Sequence, residues 1–416
     1  MTQAGEQLLA DPQPTRSLRD YRLLFGAVVV STAGDWLYKL ALPLLVLRLT
    51  GSAVQTAVVY SLEYLPYLVF APIGGVLSDR YDRRRLLITA DVTSAVVIGV
   101  VAAFALFGQY HLVMIYLAAF VLSSITPLYQ VTFQGMVPGT VPPAKLSWAN
   151  SRLQMGEGTL GLAGPLLGAA AVAALGTKWA LTLDSASFAL SALAIASISR
   201  ARVRRPRAEH ATIVGDLRVA VDFIRAHPPL LWGSVVAAGS SFGLFIVQAN
   251  MITYLVRFRG QPVASVGVVF AALGVGGVLG AWVAPRLLNR ISPGRMLIGS
   301  TIGGGSATAL LLVLHPLVAI AMTWVLVGAS TTIFIVTWVT LRQKLVPDHL
   351  LGRVIMITRL IAFCTIPIAP VVGGFLMSAT GAFWPVITVS AGVQIGVGVL
   401  VALTTSFSAS ETANPA

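Results

Sequence analysis

The run Leu77-Ser-Asp-Arg-Tyr-Asp-Arg-Arg-Arg-Leu-Leu87 is a knot of charge between two long apolar stretches, and it occurs almost twice. Leu287-Leu-Asn-Arg-Ile-Ser-Pro-Gly-Arg-Met-Leu297 sets Asn289 where Asp79 stands, Arg290 where Arg80 stands and Arg295 where Arg85 stands. Neighbouring segments echo each other at about the same spacing. Gly74-Gly-Val-Leu77 matches Gly276-Gly-Val-Leu279, Val141-Pro142 matches Val346-Pro347, and Gly164-Pro-Leu-Leu-Gly168 matches Ala369-Pro-Val-Val-Gly373. A unit repeated at this length is a supersecondary block, and its repetition governs the reading of the whole chain.

Outward from these loops the chain is apolar: 56% hydrophobic, 10% charged, with a mean hydropathy of +0.84. Twelve apolar segments cover approximately 21–48, 53–77, 86–108, 112–135, 146–174, 178–199, 229–258, 263–288, 296–314, 316–341, 353–379 and 382–404. About twenty such residues suffice to cross a bilayer as a helix. Their continuity favours helices over the alternating strands of a barrel, because a helix satisfies its own backbone groups in lipid. The expected organisation is a tail (1–20), a six-helix bundle (21–199), a basic linker (200–228), a second bundle (229–404) and a second tail (405–416). Two like-oriented copies give a pseudo-two-fold axis along the membrane normal, with a site between them near the midplane.

The net charge of +13 reports topology rather than nucleic-acid binding. With the N-terminus inside, 21 of the 28 Lys and Arg fall at cytoplasmic ends, Arg342 among them, against Arg48, Lys178, Arg257 and Arg259 outside. Both termini are therefore predicted to be cytoplasmic. In the linker, Leu217, Val221 and Ile224 share one helical face, which suits an amphipathic helix on the inner membrane surface. A single cysteine, Cys364, excludes an intrachain disulfide framework. The first twenty residues are polar, so the first span is expected to act as the insertion signal.

The segment Gly75-Val-Leu-Ser-Asp79-Arg80-Tyr-Asp-Arg83-Arg84 resembles the signature loop between helices two and three of the major facilitator superfamily. Asp82 in place of the usual Gly, with Gly34-Asp35-Trp36 and Leu49-Thr-Gly-Ser52, is similar to the branch of multidrug, macrolide and enterobactin-type exporters. The resemblance implies that Gly75, Asp79, Arg80 and Arg84 latch one conformation, with Arg83 in the same loop. It also implies a cavity ringed by spans one, four, seven and ten. Asp79 is expected at a helix N-terminus, where a carboxylate is stabilised by about 0.3–1 kcal/mol.

Five carboxylates lie inside apolar spans, all in the first half: Asp35, Glu63, Asp91, Glu157 and Asp184. An ionisable group in hydrocarbon is a functional-site hypothesis by default. Asp35 lies near mid-depth of the first span with Lys39 one turn on, as a buried ion pair or as a carboxylate that exchanges a proton as its surroundings wet and dry. Glu63 sits among Tyr60, Tyr64 and Tyr67 with no cation within a turn. Glu157 follows Arg152 in a glycine-rich stretch that suits close helix packing as well as proton binding. Asp91 and Asp184 are read as interfacial. Arg359, the one cation read as well inside a C-terminal span, can pair with Glu63 or Glu157, or can snorkel to a membrane face. The fourth span carries no arginine, so a proton relay of the kind that uses one there is doubtful.

Candidate cavity residues are Trp36, Tyr64, Tyr129, Gln130, Phe133, Gln134, Phe242, Phe245, Gln248, Asn250, Phe334 and Trp338. Aromatic rings with a few amides suit a bulky amphiphile, though ordinary helix packing accounts for any one of them equally well. A Gly-Lys-Ser/Thr phosphate loop is absent, and the five histidines lie at span ends or in loops without metal-ligand spacing. The expectation is an inner-membrane, monomeric secondary transporter that exports a hydrophobic or amphipathic small molecule against protons and needs no cofactor. The alternatives are a nutrient importer or uniporter of the same fold, and from other classes a membrane-embedded enzyme or a sensor on a transporter scaffold.

Overall fold

The computed structural model describes residues 18–198 and 213–404. It is helical throughout, and no strand occurs among the described residues. The first half holds α1 (Leu18–Thr50), α2 (Ala53–Arg80), α3 (Arg83–Leu106), α4 (Leu112–Thr140), α5 (Leu146–Leu175) and α6 (Thr177–Ala196). A shorter helix, α7 (Ile213–Ala226), precedes α8 (Pro228–Thr253), α9 (Val263–Leu288), α10 (Pro293–Ala309), α11 (Leu317–Leu345), α12 (Asp348–Phe363), α13 (Ile368–Thr380) and α14 (Trp384–Thr404). Ten of the described helical stretches are long and apolar enough to cross a membrane, so this is a multi-pass membrane protein.

Turn chemistry fixes the junctions. Ser52 caps α2 by accepting from the Gln55 amide at 3.3 Å, and Asp82 caps α3 by accepting from the Arg85 amide at 2.8 Å. Gly51, Gly176 and Gly381 carry positive φ at three tight connections, where a side chain would be strained. The eleventh apolar segment, expected as one span, is two helices. Pro367 and Pro370 each lack an amide donor, and proline disfavours helical geometry in the residue before it. Thr365 closes the gap by donating to the carbonyl of Ala362 at 2.9 Å and, across to α8, to that of Ala238 at 3.1 Å.

Helix pairing repeats along with the sequence. In the first half α1 packs on α5 and α6, α2 on α4, and α3 on α4 and α6. In the second, α8 packs on α12, α13 and α14, α9 on α11, and α10 on α11 and α14. Position for position, this is the same set of contacts. The reciprocal pairs α2 with α13 and α9 with α5 join the two sets.

The charged loop between α2 and α3 ties α3 to its neighbours. Arg83 donates to the Gly135 carbonyl of α4 at 2.5 Å. Arg84 donates to the carbonyls of Ile195 (3.2 Å) and Ala196 at the end of α6. A cation there meets the negative end of the helix dipole. Asp79 does not occupy a helix N-terminus: its backbone falls in the last turn of α2, and Asp82 is the cap. The side chains of Asp79 and Arg80 and the surroundings of Gly75 lie outside what is described, as do 199–212 with the basic run of the linker, and both tails apart from 18–20.

Candidate functional site

Three carboxylates of the first half converge because α1, α3 and α4 turn polar residues, and α5 turns Glu157, toward the same space. On α1, Ser31, Asp35 and Lys39 recur every four residues and so share a face. With Asp91 and Ser94 from α3, Tyr129, Gln130, Phe133 and Gln134 from α4, and Glu157 from α5, they line a cavity of about 410 Å³. Three acids and one ammonium therefore face a common space inside an apolar bundle. Lys39 Nζ lies 5.4 Å from the Trp36 ring and 6.0 Å from that of Tyr38, so its charge is also held over aromatic faces.

Asp91 and Asp184, expected near a membrane face, are buried inside the helix bundle. Asp91 is buried and accepts from the Ser191 hydroxyl at 2.6 Å. Asp184 is fully buried, takes a longer contact of 3.4 Å from the Ser187 hydroxyl, and lies against Gly34 of α1. Each sits two helical turns from the start of its helix, deeper than the apolar boundaries suggested. Asp91 joins the acidic cavity, whereas Asp184 packs between α6 and α1. Glu63 is half-buried on α2 and lines none of the three cavities, yet its Oε1 is enclosed without a hydrogen-bond partner among the described residues.

The second half holds a cavity of about 520 Å³ of different character. Phe245, Phe334 and Trp338 line it, joined by Tyr64 from α2, whose ring meets Phe245 edge to face at 4.9 Å. Arg342 and Arg359 stand in its wall. Arg342 lies in the last turn of α11, at the end of its span as expected, but its side chain is buried: its guanidinium lies 5.0 Å from the Trp338 ring and donates to Thr358 Oγ1 at 2.9 Å. Its position near the end of its span is all that the sequence shows, since the Thr358 partner lies sixteen residues on and leaves no sequence signal. Arg359 stacks near Phe363, at 5.1 Å, on the exposed wall.

A third space of about 230 Å³ brings Trp36 and Gln248 together between the halves of the sequence. Two expectations fail here. Asn250 lies in none of these cavities: it is fully buried and donates to the carbonyls of Ile246 (2.9 Å) and Pro370 (3.0 Å), tying α8 to α13. Arg152, expected near Glu157, is exposed and lies 4.8 Å from the Trp148 ring. A helix turn of five residues separates them by well over a right angle, which points the two side chains apart.

The chain is similar to the enterobactin exporter EntS of Salmonella typhimurium (strain LT2), 24% identical over 333 residues that cover 80% of each protein. It is similar to the multidrug efflux pump Tap of Mycolicibacterium fortuitum, 25% identical over 367 residues covering 86% of this chain and 89% of that one. Its fold matches the crystal structure of a bacterial homologue of the iron transporter ferroportin in an inward-facing state, with a TM-score of 0.74 at 16% identity, covering 93% of this chain and 98% of that one. The sequence pattern of the Major Facilitator Superfamily matches residues 24–365, and the chain belongs to that family of transporters.

Proposed function

We propose that this protein is a proton-coupled exporter of a hydrophobic or amphipathic small molecule. In this reading twelve spans form two six-helix halves that rock about a shared seam, with both termini cytoplasmic. The observation that carries it is the division of labour between the cavities. Acids cluster in the first-half cavity, where Asp35, Asp91 and Glu157 can take up and release protons as the space wets and dries. The second-half cavity is aromatic with sparse polar groups, which suits a bulky amphiphile. Glu63 is assigned to proton coupling as well, because it is a carboxylate in an apolar span whose Oε1 is enclosed without a hydrogen-bond partner among the described residues. The similarity to exporters of a siderophore and of drugs supports the direction of transport. One proton crossing 100 mV supplies about 2.3 kcal/mol, which sustains roughly fifty-fold accumulation.

In proteoliposomes with an imposed ΔpH, Asp35→Asn and Glu63→Gln are expected to abolish driven efflux while ligand binding survives. Unaltered efflux in both variants defeats the proton-coupled reading. Counterflow under a reversed gradient separates export from import.

A further inference from the structure

The second-half cavity carries a feature that the exporter reading leaves unused. Two guanidinium groups face it, Arg342 from α11 and Arg359 from α12, and no carboxylate side chain lines it among the described residues. Arg342 is buried, and among the described residues its hydrogen bonds run to uncharged oxygens: the Trp338 carbonyl at 3.4 Å and the Thr358 hydroxyl at 2.9 Å. A buried charge held only by neutral groups is costly, and an anion that shares the cavity relieves the cost. Arginine suits this role because its planar fork binds an oxyanion through two parallel N–H donors. The same wall presents Phe334, Trp338, Tyr64 and Phe245 to the flat remainder of a ligand.

We propose that this cavity selects an aromatic amphiphile bearing an acidic oxygen group, a carboxylate or a group of similar geometry, gripped by Arg342 and Arg359 while its ring lies among the aromatic side chains. The inference rests on the exporter reading only in taking this cavity as the substrate's. The acids of the other cavity are separate from it, so cation selection by the protein as a whole requires a different site. An anionic ligand also gives the two cavities opposite signs: protons on one side of the seam and the anion on the other.

The test uses the full-length protein in lipid nanodiscs with no ion gradient, and calorimetric titration with three probes of one shape: 2-naphthoate, its methyl ester and trimethyl(2-naphthyl)ammonium. The expected result is that 2-naphthoate binds tighter than the other two by about ten- to a hundred-fold, the range of charge-assisted hydrogen bonds. Arg359→Gln, on the exposed wall and so safe for folding, is expected to bring 2-naphthoate down toward the ester. Arg359→Lys keeps part of the preference, and Arg342→Gln removes more of it if it folds. The proposal is overturned if the ammonium probe binds as tightly as the naphthoate, if Arg359→Gln keeps the full preference, or if none of the three binds. Because no gradient is present, these outcomes are independent of whether Asp35 and Glu63 couple protons to efflux.

Discussion

Asp91 gives one carboxylate oxygen to the Ser191 hydroxyl and keeps the other enclosed, without a hydrogen-bond partner among the described residues. A buried polar atom left without a partner costs about 1–3 kcal/mol. Ser191→Ala strands the bonded oxygen too, so its melting temperature in detergent should fall by the equivalent of about 1–3 kcal/mol. Asp91→Asn keeps an acceptor for Ser191 and removes the charge, and its stability should stay within about 1 kcal/mol of the parent. Equal losses in the two variants would show that the contact is not a hydrogen bond of consequence. At this scale the sequence was partly legible. That Asp35 and Lys39 share a face followed from their spacing, and a cavity place for Tyr129, Gln130 and Gln134 followed from the family resemblance, but the entry of Glu157 into the same space is visible only in the fold. The depth of Asp91 did not, because its helix begins at Arg83, ahead of the apolar run, and Ser191 lies a hundred residues away. Asn250 looked like an orienting amide and proves to be a fastener between α8 and α13, since its nearest acceptor across space, the Pro370 carbonyl, belongs to a distant segment.

Helix α7 shows the same boundary one level up. Its amphipathic pattern was readable, but a pattern names a face and not the surface that covers it. Ala220 and Ile224 are buried in a cluster with Leu350, Val354 and Ile357, and α7 packs on α12. The helix thus rests on the second half of the protein rather than relying on lipid alone. Ile224→Ala should cost about 2–5 kcal/mol, as other buried aliphatic truncations do. Val219→Ala, on the exposed side, should stay within about 0.5 kcal/mol. Chemical denaturation of the two variants in the same detergent decides the matter; matching midpoints would mean that α7 is not docked. The division of the eleventh segment into α12 and α13 was written in Pro367 and Pro370, yet a hydropathy scan averages over both and sees one span.

Across the whole molecule, two close seams between small residues help to join the two sets of helices. Gly374 of α13 lies against the backbone of Ala53 and Val54 at the start of α2, where a Cβ would come within 2.9 Å of both. Gly267, near the start of α9, would place a Cβ 2.8 Å from the Pro165 carbonyl and 2.5 Å from the Ala169 side chain of α5. Glycine lets the backbones meet there, and any larger residue must push them apart. In the reading proposed above, where the N-terminus is cytoplasmic and the halves rock about a shared seam, these contacts lie toward the outer face and the arrangement is the inward-open one. A branched side chain at Gly374 should therefore disfavour this state without touching either cavity, since Gly374 lines neither. Spin labels at the exposed positions Gln109 and His315, in a Cys364→Ser background, report the separation of the two halves at that face. Gly374→Val should shift the distance distribution measured by double electron–electron resonance toward longer values and slow efflux. If the distribution is unchanged while the protein remains folded, the small-residue seam is packing alone and the state is set elsewhere.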